Sequence, residues 1–264
     1  MKVLSVLRDP CFSPGAEEKD KAIMMAVVGR LQLAGNAVTV TTERSLIDGE
    51  FVSADVVLTM GRFPATLCRL SCVDARVINT PESVARCRRS TLQRVMAETG
   101  IPAPPREGTH GYWLKRGDAA GAMTAGDVVF APDEEALHAR IELFRLRGIT
   151  DYVVSAHVVG SEVKFYGVRG TGFFRCFPTG AKPSSADEKP FCAGEKPSCV
   201  VDLQSAAERL AMAIGIDVYG GDAIVRDDGS FCIIDFNDWP SFSPCREEAA
   251  KAIVGKALSL MKAE

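Results

Sequence analysis

The sequence has no Cys-x-x-Cys pair, although it contains nine cysteines. This absence argues against a zinc ribbon and against a thioredoxin-like redox motif. The sequence also lacks any arrangement of Ser, His and Asp, or of Cys and His, that would indicate a protein nucleophile. The simplest interpretation of the cysteines is reduced thiols in a cytoplasmic protein.

Long apolar runs and a strong net charge are absent as well. The apolar stretch at the N-terminus is too short for the core of a signal peptide, and no other window has the length needed to span a bilayer. The net charge is only -3, so no overall basic field favours nucleic acid or an anionic membrane surface. We expect neither partner, and the sequence leaves homo-oligomerisation open.

What the sequence does contain begins with an α/β pattern over residues 1 to 80. Short apolar or β-branched segments, such as KVLSVL and AVTVTT, alternate with helical patterns, the first of which ends at Gly35. This alternation is typical of a small parallel sheet covered by helices. We therefore predict an N-terminal α/β domain in residues 1 to 80.

Two further regions follow. Residues 81 to 150 are predicted as a small α+β lobe that opens with one helix running to Gly100 and continues through a proline-rich extended segment. Residues 151 to 264 are predicted as a second α+β lobe with antiparallel strands, a helix from about Asp202 to Ile214, a hairpin and a terminal helix from about Arg246 to Lys262. Residues 178 to 198 are too polar to bury and are predicted as a loop.

The hairpin carries the most informative residues of the sequence. Its two apolar segments, GGDAIV and CIIDFN, are separated by Asp-Gly, which predicts a tight turn at Asp228 and Gly229. With that turn, Asp222 lies directly opposite Asp235, and Asn237 projects from the same face as Asp235. Two opposed carboxylates repel each other unless a cation offsets the charge, and Mg²⁺ or Mn²⁺ prefers such oxygens. A solvated face is the alternative, and another turn register would break the pairing.

These segments resemble the metal-binding hairpin of the ATP-grasp superfamily, in which an acidic residue on one strand precedes [D/E]-x-N on the next. The helix that ends in GIPAPP, and the strand YWLK before a Gly/Ala loop, follow the order of that superfamily. The resemblance implies an ATP-grasp fold, with an N-terminal Rossmann-like lobe and two α+β lobes that enclose the nucleotide. It also implies ATP and Mg²⁺ as cofactors, with Asp222, Asp235 and Asn237 as metal ligands.

The resemblance also suggests residues that contact the nucleotide. Lys115 ends the strand YWLK, where it could reach phosphates, and Gly117 and Gly121 follow in the loop RGDAAGAMTAG. Arg88 falls near the position where the family often has a second phosphate-contacting lysine. For each cation the alternative is a side chain in solvent.

Four more residues complete the candidate site. Lys164 in SEVKFYGV and Arg175 in FFRCF are candidate catalytic cations for phosphate or substrate. Ser155 and His157 lie where the adenine hinge is expected, although the acidic residue or glutamine that the family has there is missing. A lone histidine on a strand is more often structural.

Three functions remain open from the sequence. The first is an ATP-dependent ligase that activates a carboxylate as an acyl phosphate for attack by an amine. The second is a small-molecule kinase, because DFNDWPSF is similar to the inositol polyphosphate kinases of the same superfamily. The third is a nucleotide-binding protein without turnover. The acceptor substrate is not identified by any motif.

Overall fold

The computed structural model describes residues 1–49, 53–118, 124–179 and 198–260. Its first sheet is parallel, with strand order β2-β1-β3-β4, and lies between helices as the alternating sequence predicts. The elements of this region are β1 (Lys2–Leu7), α1 (Glu17–Leu33), β2 (Ala37–Thr42), α2 (Glu43–Asp48), β3 (Val56–Thr59), α3 (Pro64–Leu70) and β4 (Arg76–Ile78).

Two helices lead from this sheet into a second one. The single helix predicted before Gly100 is interrupted at Cys87 and Arg88, so that α4 and α5 are separate. The second sheet is antiparallel, with order β6-β5-β7, and it includes a strand beyond the predicted boundary at residue 150. Its elements are α4 (Pro81–Arg86), α5 (Arg89–Thr99), β5 (Tyr112–Arg116), β6 (Val128–Ala131), α6 (Glu134–Leu146) and β7 (Tyr152–Ala156).

The third sheet is antiparallel, with order β11-β10-β8-β9. Most of the loop predicted at 178 to 198 lies outside the described residues, and the helix that follows begins at Ser198, earlier than predicted. The elements are β8 (Ser161–Val168), β9 (Phe173–Pro178), α7 (Ser198–Ile214), β10 (Val218–Val225), β11 (Phe231–Asp238) and α8 (Arg246–Ser259).

Two apolar cores hold the third sheet in place. On one face, Tyr219, Ile233 and Phe236 pack with α7 and α5, and the rings of Tyr219 and Phe236 stack at 5.2 Å. On the other face, α8 packs against α1, and buried Trp239 and Phe242 join the two helices to the first sheet. Full burial of one such large side chain contributes about 1.5–3 kcal/mol. The β10–β11 hairpin is therefore fixed from both sides.

None of the helices in the described part of the chain is both long enough and apolar enough to cross a membrane.

Candidate active site

The β10–β11 hairpin places Asp222 directly opposite Asp235, which confirms the predicted pairing. The predicted turn is wrong, however. Arg226 and Ser230 close a loop in which Gly229 has a φ of 81°, so the loop is one residue longer than a two-residue turn. A β-bulge at Ile234 adds one residue to β11 and restores the register at the two aspartates.

The two carboxylates are partly buried, and each lies near a basic side chain, Lys164 for Asp222 and Arg89 for Asp235. Asp222 Oδ1 accepts a hydrogen bond from Lys164 Nζ at 2.6 Å. Burial raises the pKa of Asp222 above its ordinary value, and the nearby Asp235 charge raises it further, while Lys164 opposes both effects. Asp235 Oδ2 accepts from Asn237 Nδ2 at 3.1 Å, so the three predicted metal ligands lie together.

The bulge has a second consequence, because it turns a backbone carbonyl toward the second sheet. Lys115 Nζ donates to the Ile234 carbonyl oxygen at 2.9 Å and so bridges β5 and β11. Burial lowers the pKa of Lys115 below that of an ordinary lysine, and nearby Arg89 lowers it further. The charge of Asp235 acts in the opposite direction. Lys115 thus lies beside the carboxylate pair, on the opposing lobe.

A small cavity of about 50 Å³ opens between the second and third sheets. Lys115 and Asp235 lie in its wall, and the rest of the lining is largely apolar, with Met96, Pro104 and Ile233. Ser155, on β7, also lines it. This apolar cleft ends at a lysine and a carboxylate, and it is much smaller than the ~300–1,000 Å³ of a typical ligand pocket.

Comparison with known proteins gives no match to a protein-family model and none to a curated protein. The D-alanine–D-alanine ligase from Bacillus anthracis complexed with ATP is similar to this chain with a TM-score of 0.70 and 12% identity, and the match covers 99% of each chain. The chain has the ATP-grasp fold. Two other structures agree. D-alanine–D-alanine ligase from Coxiella burnetii gives 0.67 at 14% identity, over 99% of this chain and 98% of that one. D-alanyl-alanine synthetase A from Vibrio cholerae gives 0.70 at 14% identity, over 98% of each chain.

Within this ATP-grasp fold, the hairpin residues fit a divalent cation. The described residues contain no group of three or more His, Cys, Asp or Glu side chains placed to bind one metal ion. The candidate donors are instead two carboxylates and one amide, from Asp222, Asp235 and Asn237. Mg²⁺ is usually bound by one or two carboxylates, with water and substrate phosphates completing its coordination. The partial burial of two opposed carboxylates is consistent with such an ion.

Other predicted residues lie away from the carboxylate pair. His157 Nδ1 accepts a hydrogen bond from Trp113 Nε1 at 3.1 Å, and its ring packs against Phe130, so it belongs to an aromatic cluster and does not line the small cavity. Arg175 forms an ion pair with Glu248 on α8 and lines a separate surface groove. The structure therefore gives neither residue a contact with the candidate site.

Gly117 and Gly121 were both predicted to lie in a loop that contacts the nucleotide. The Gly117 N–H already donates to the Asp151 carbonyl at 2.8 Å, and a Cβ at this position would lie 2.2 Å from Asp151 Oδ1. Glycine is thus required here by close packing, which corrects the expectation that its N–H is available to a phosphate. Gly121 lies outside the described residues.

The break between α4 and α5 brings two adjacent arginines to the site. Arg88 is the exposed N-cap residue of α5. Arg89 is the first residue of the helix, and its Nε lies 3.9 Å from Asp235 Oδ1. Sequence reasoning selected Arg88 and missed Arg89, because the doublet carries no proline or glycine to mark the helix break.

A buried ionic network supports the hairpin from the N-terminal region, and it was also missed. Asp238, next to Asn237, binds Arg62 Nη2 at 2.5 Å and Arg8 Nη2 at 3.3 Å. Arg8 Nη1 also binds Asp20 at 2.9 Å. Burial raises the pKa of Asp238, but the two arginines outweigh this effect and hold it below its ordinary value. This network fixes the end of β11 to the first sheet.

Proposed function

We propose that this protein is an ATP- and Mg²⁺-dependent ligase that activates a carboxylate as an acyl phosphate for attack by an amine. The observation that carries the proposal is the Asp222–Asp235 pair beside Asn237, with Asp235 and Lys115 together in the wall of the small apolar cavity. The fold supports it, because the similar solved structures are named as D-alanine–D-alanine ligases and one of them is complexed with ATP.

Some residues of the site would bind the metal ion, and others would bind the phosphates. Asp222, Asp235 and Asn237 would hold Mg²⁺, which when bound neutralises phosphate charge and orients the nucleotide. Lys115 and Arg89 approach the same point from the opposing lobe and stabilise the charge that develops on the transferred phosphoryl group. Lys164 lies on the other side, hydrogen-bonded to Asp222.

The bonds made and broken define the reaction. An oxygen of the substrate carboxylate bonds to the γ-phosphorus while the bond between that phosphorus and the β,γ-bridging oxygen breaks, and ADP leaves. The amine nitrogen then bonds to the acyl carbon, the carbon–oxygen bond to phosphate breaks, and the amine loses a proton. No protein nucleophile takes part, which agrees with the absence of such an arrangement in the sequence.

Trapping with hydroxylamine tests this proposal. The purified chain is incubated with Mg²⁺, ATP, hydroxylamine and a panel of carboxylic acids, and both ADP and hydroxamate are measured. A hydroxamate formed with ADP supports the ligase. A stable phosphorylated product with no hydroxamate would instead support the kinase, and ATP binding without ADP release would support a non-catalytic binding protein.

Nucleotide affinity is expected to fall at alkaline pH because of Lys115. Its pKa is lowered by burial, so the side chain is charged below that pKa and loses its proton as pH rises, earlier than an ordinary lysine does. Calorimetry with a non-hydrolysable ATP analogue and Mg²⁺ between pH 7 and pH 10 measures this loss. Lys115→Arg keeps its charge across that range, so its affinity should stay flat.

The matched control is Lys251→Arg, a change on the exposed side of α8. It should keep the alkaline decrease of the wild type. A similar decrease in Lys115→Arg would show that another group causes it.

A further inference from the structure

A second, larger cavity also has Asp235 in its wall. It has a volume of about 210 Å³ and is lined by residues of all three sheet regions, including Phe12, Arg62, Arg88, Arg89, Arg116 and Asp235. We call it the arginine cavity. It shares Arg89 and Asp235 with the small apolar cavity, so the two meet at the candidate metal site. A group that receives a phosphoryl from a nucleotide in one cavity would lie in the other.

The charged side chains that line the arginine cavity are compatible with a bound anion. Each of its four aspartates already has an arginine partner, the pairs being Asp118 with Arg116, Asp127 with Arg147, Asp235 with Arg89, and Asp238 with Arg8 and Arg62. A bound anion therefore meets no carboxylate without a counterion. The Arg88 side chain has neither a hydrogen bond nor an ion pair with the residues that the structure describes, whereas its backbone carbonyl accepts from the Leu92 N–H.

Arg62 is held in place for a second contact. Its Nη2 binds Asp238, whose side chain is only 3% exposed and which Arg8 also holds. Its Nε is buried and has no hydrogen-bond partner within the described part of the chain. A ligand would therefore contact the accessible part of the guanidinium, since 27% of the Arg62 side chain is exposed. An arginine already fixed at one nitrogen loses little side-chain entropy when it binds a carboxylate.

The remaining wall of the cavity is apolar. Phe12, Pro64, Leu67 and Val84 line it, and the Phe12 ring is fixed edge-on against Phe63 at 4.9 Å. Such a wall can contact a short run of methylene groups but offers no partner for a polar chain. The cavity thus combines a reacting end at Asp235 and Arg89, an apolar middle, and three further arginines, of which Arg116 is paired with Asp118.

We propose that the arginine cavity binds the acid substrate of the proposed reaction, and that Arg62 and Arg88 bind a second carboxylate of it, so that the preferred substrate is a short dicarboxylic acid. Which of the two carboxylates is phosphorylated rests on the proposed function. The binding of the acid itself does not.

The binding test uses acids that are matched in chain length. Calorimetry on the full chain without nucleotide compares glutarate with valerate, and succinate with butyrate. The diacid of each pair should bind at least about ten-fold more tightly, because it makes an additional charge-assisted contact with arginine. Equal binding of diacid and monoacid would overturn the proposal.

Variants locate the binding site. Arg62→Gln and Arg88→Gln should each lower glutarate affinity about ten-fold. Arg62→Gln should keep the wild-type affinity for a non-hydrolysable ATP analogue with Mg²⁺. Because Arg62 contacts buried Asp238, its variant is first checked by thermal unfolding, and exposed Arg88 provides a test that does not disturb the buried network.

Two controls separate this site from its surroundings. Arg86→Gln changes an exposed arginine on α4 that pairs with Glu82 and does not line the cavity, so it should have no effect. Lys19→Gln changes a neighbouring cavity of about 300 Å³, which shares Asn237 but neither Asp235 nor Arg89. If Lys19→Gln weakens glutarate binding and Arg62→Gln does not, the acid binds in that neighbouring cavity and the proposal is wrong.

Turnover distinguishes failure of this proposal from failure of the ligase. Hydroxamate formed equally from valerate and glutarate would overturn the dicarboxylate assignment while supporting the ligase. Selective binding of glutarate that depends on Arg62 and Arg88, without hydroxamate, would support the site and contradict the ligase.

Discussion

Replacing Asp235 with asparagine is expected to lower Mg²⁺-dependent ATP turnover by at least about 100-fold, the usual order for loss of one group that stabilises transferred charge. The change replaces one of two opposed carboxylates with an amide, so Asp222 is the only charged ligand that remains in the predicted set. ADP release in a coupled assay, with the acid that gives the most hydroxamate, measures the effect.

The fold should survive this substitution. Asparagine has the same size, and its amide oxygen can still accept from the Phe236 N–H, as Asp235 Oδ1 does at 3.1 Å. Loss of one charge also relieves repulsion from Asp222. The matched control is Asp228→Asn in the exposed turn of the same hairpin, which should keep full activity. Wild-type turnover in folded Asp235→Asn would contradict the metal assignment.

The register of the β10–β11 hairpin shows which of its features could be predicted from the sequence. Asp-Gly correctly indicated a turn, but the actual loop is longer because Gly229, with positive φ, closes it as a three-residue connection. The pairing of Asp222 with Asp235 nevertheless holds, since the bulge at Ile234 cancels the extra loop residue. Local turn signals carry no information about a bulge five residues beyond Gly229, so the correct pairing depended on two compensating differences.

Ionic contacts between distant segments could not be predicted in the same way. Arg62 and Asp238 are 176 residues apart in sequence, and only the packing of α8 and α1 around the first sheet brings them together. Arg89 faces Asp235 because the helix restarts at this residue, after a break that the sequence does not mark. Alternation within a strand, by contrast, correctly grouped Asp235 with Asn237.

The surroundings of His157 could not be predicted from its own strand. His157 follows a strand beside the small cavity, yet Trp113 and Phe130 hold its ring in an aromatic cluster. Which partner a lone histidine finds depends on side chains from other strands, which periodicity does not specify.

Replacing Lys164 with methionine is expected to change metal binding and catalysis in opposite directions. Lys164 Nζ lies 2.6 Å from Asp222 Oδ1 and neutralises a carboxylate that a metal ion would otherwise use. Lys164→Met removes this competing charge, and one unit charge at about 4 Å is worth ~1–4 kcal/mol near a protein surface. Affinity for Mn²⁺ without nucleotide should therefore rise about ten-fold, as measured by electron paramagnetic resonance of the unbound ion.

Turnover in the same variant should fall by about 100-fold, because the lysine that metal binding releases from Asp222 is no longer present to bind phosphate. The metal titration is done at pH 8, since loss of Lys164 raises the pKa of Asp222 further and a protonated carboxyl would mask the gain. Arg175→Met on the neighbouring strand, whose guanidinium pairs with Glu248, should alter neither quantity. A rise in Mn²⁺ affinity together with a loss of turnover identifies Lys164 as a cation that exchanges between carboxylate and phosphate, whereas weaker Mn²⁺ binding would mean that it only supports the structure around Asp222.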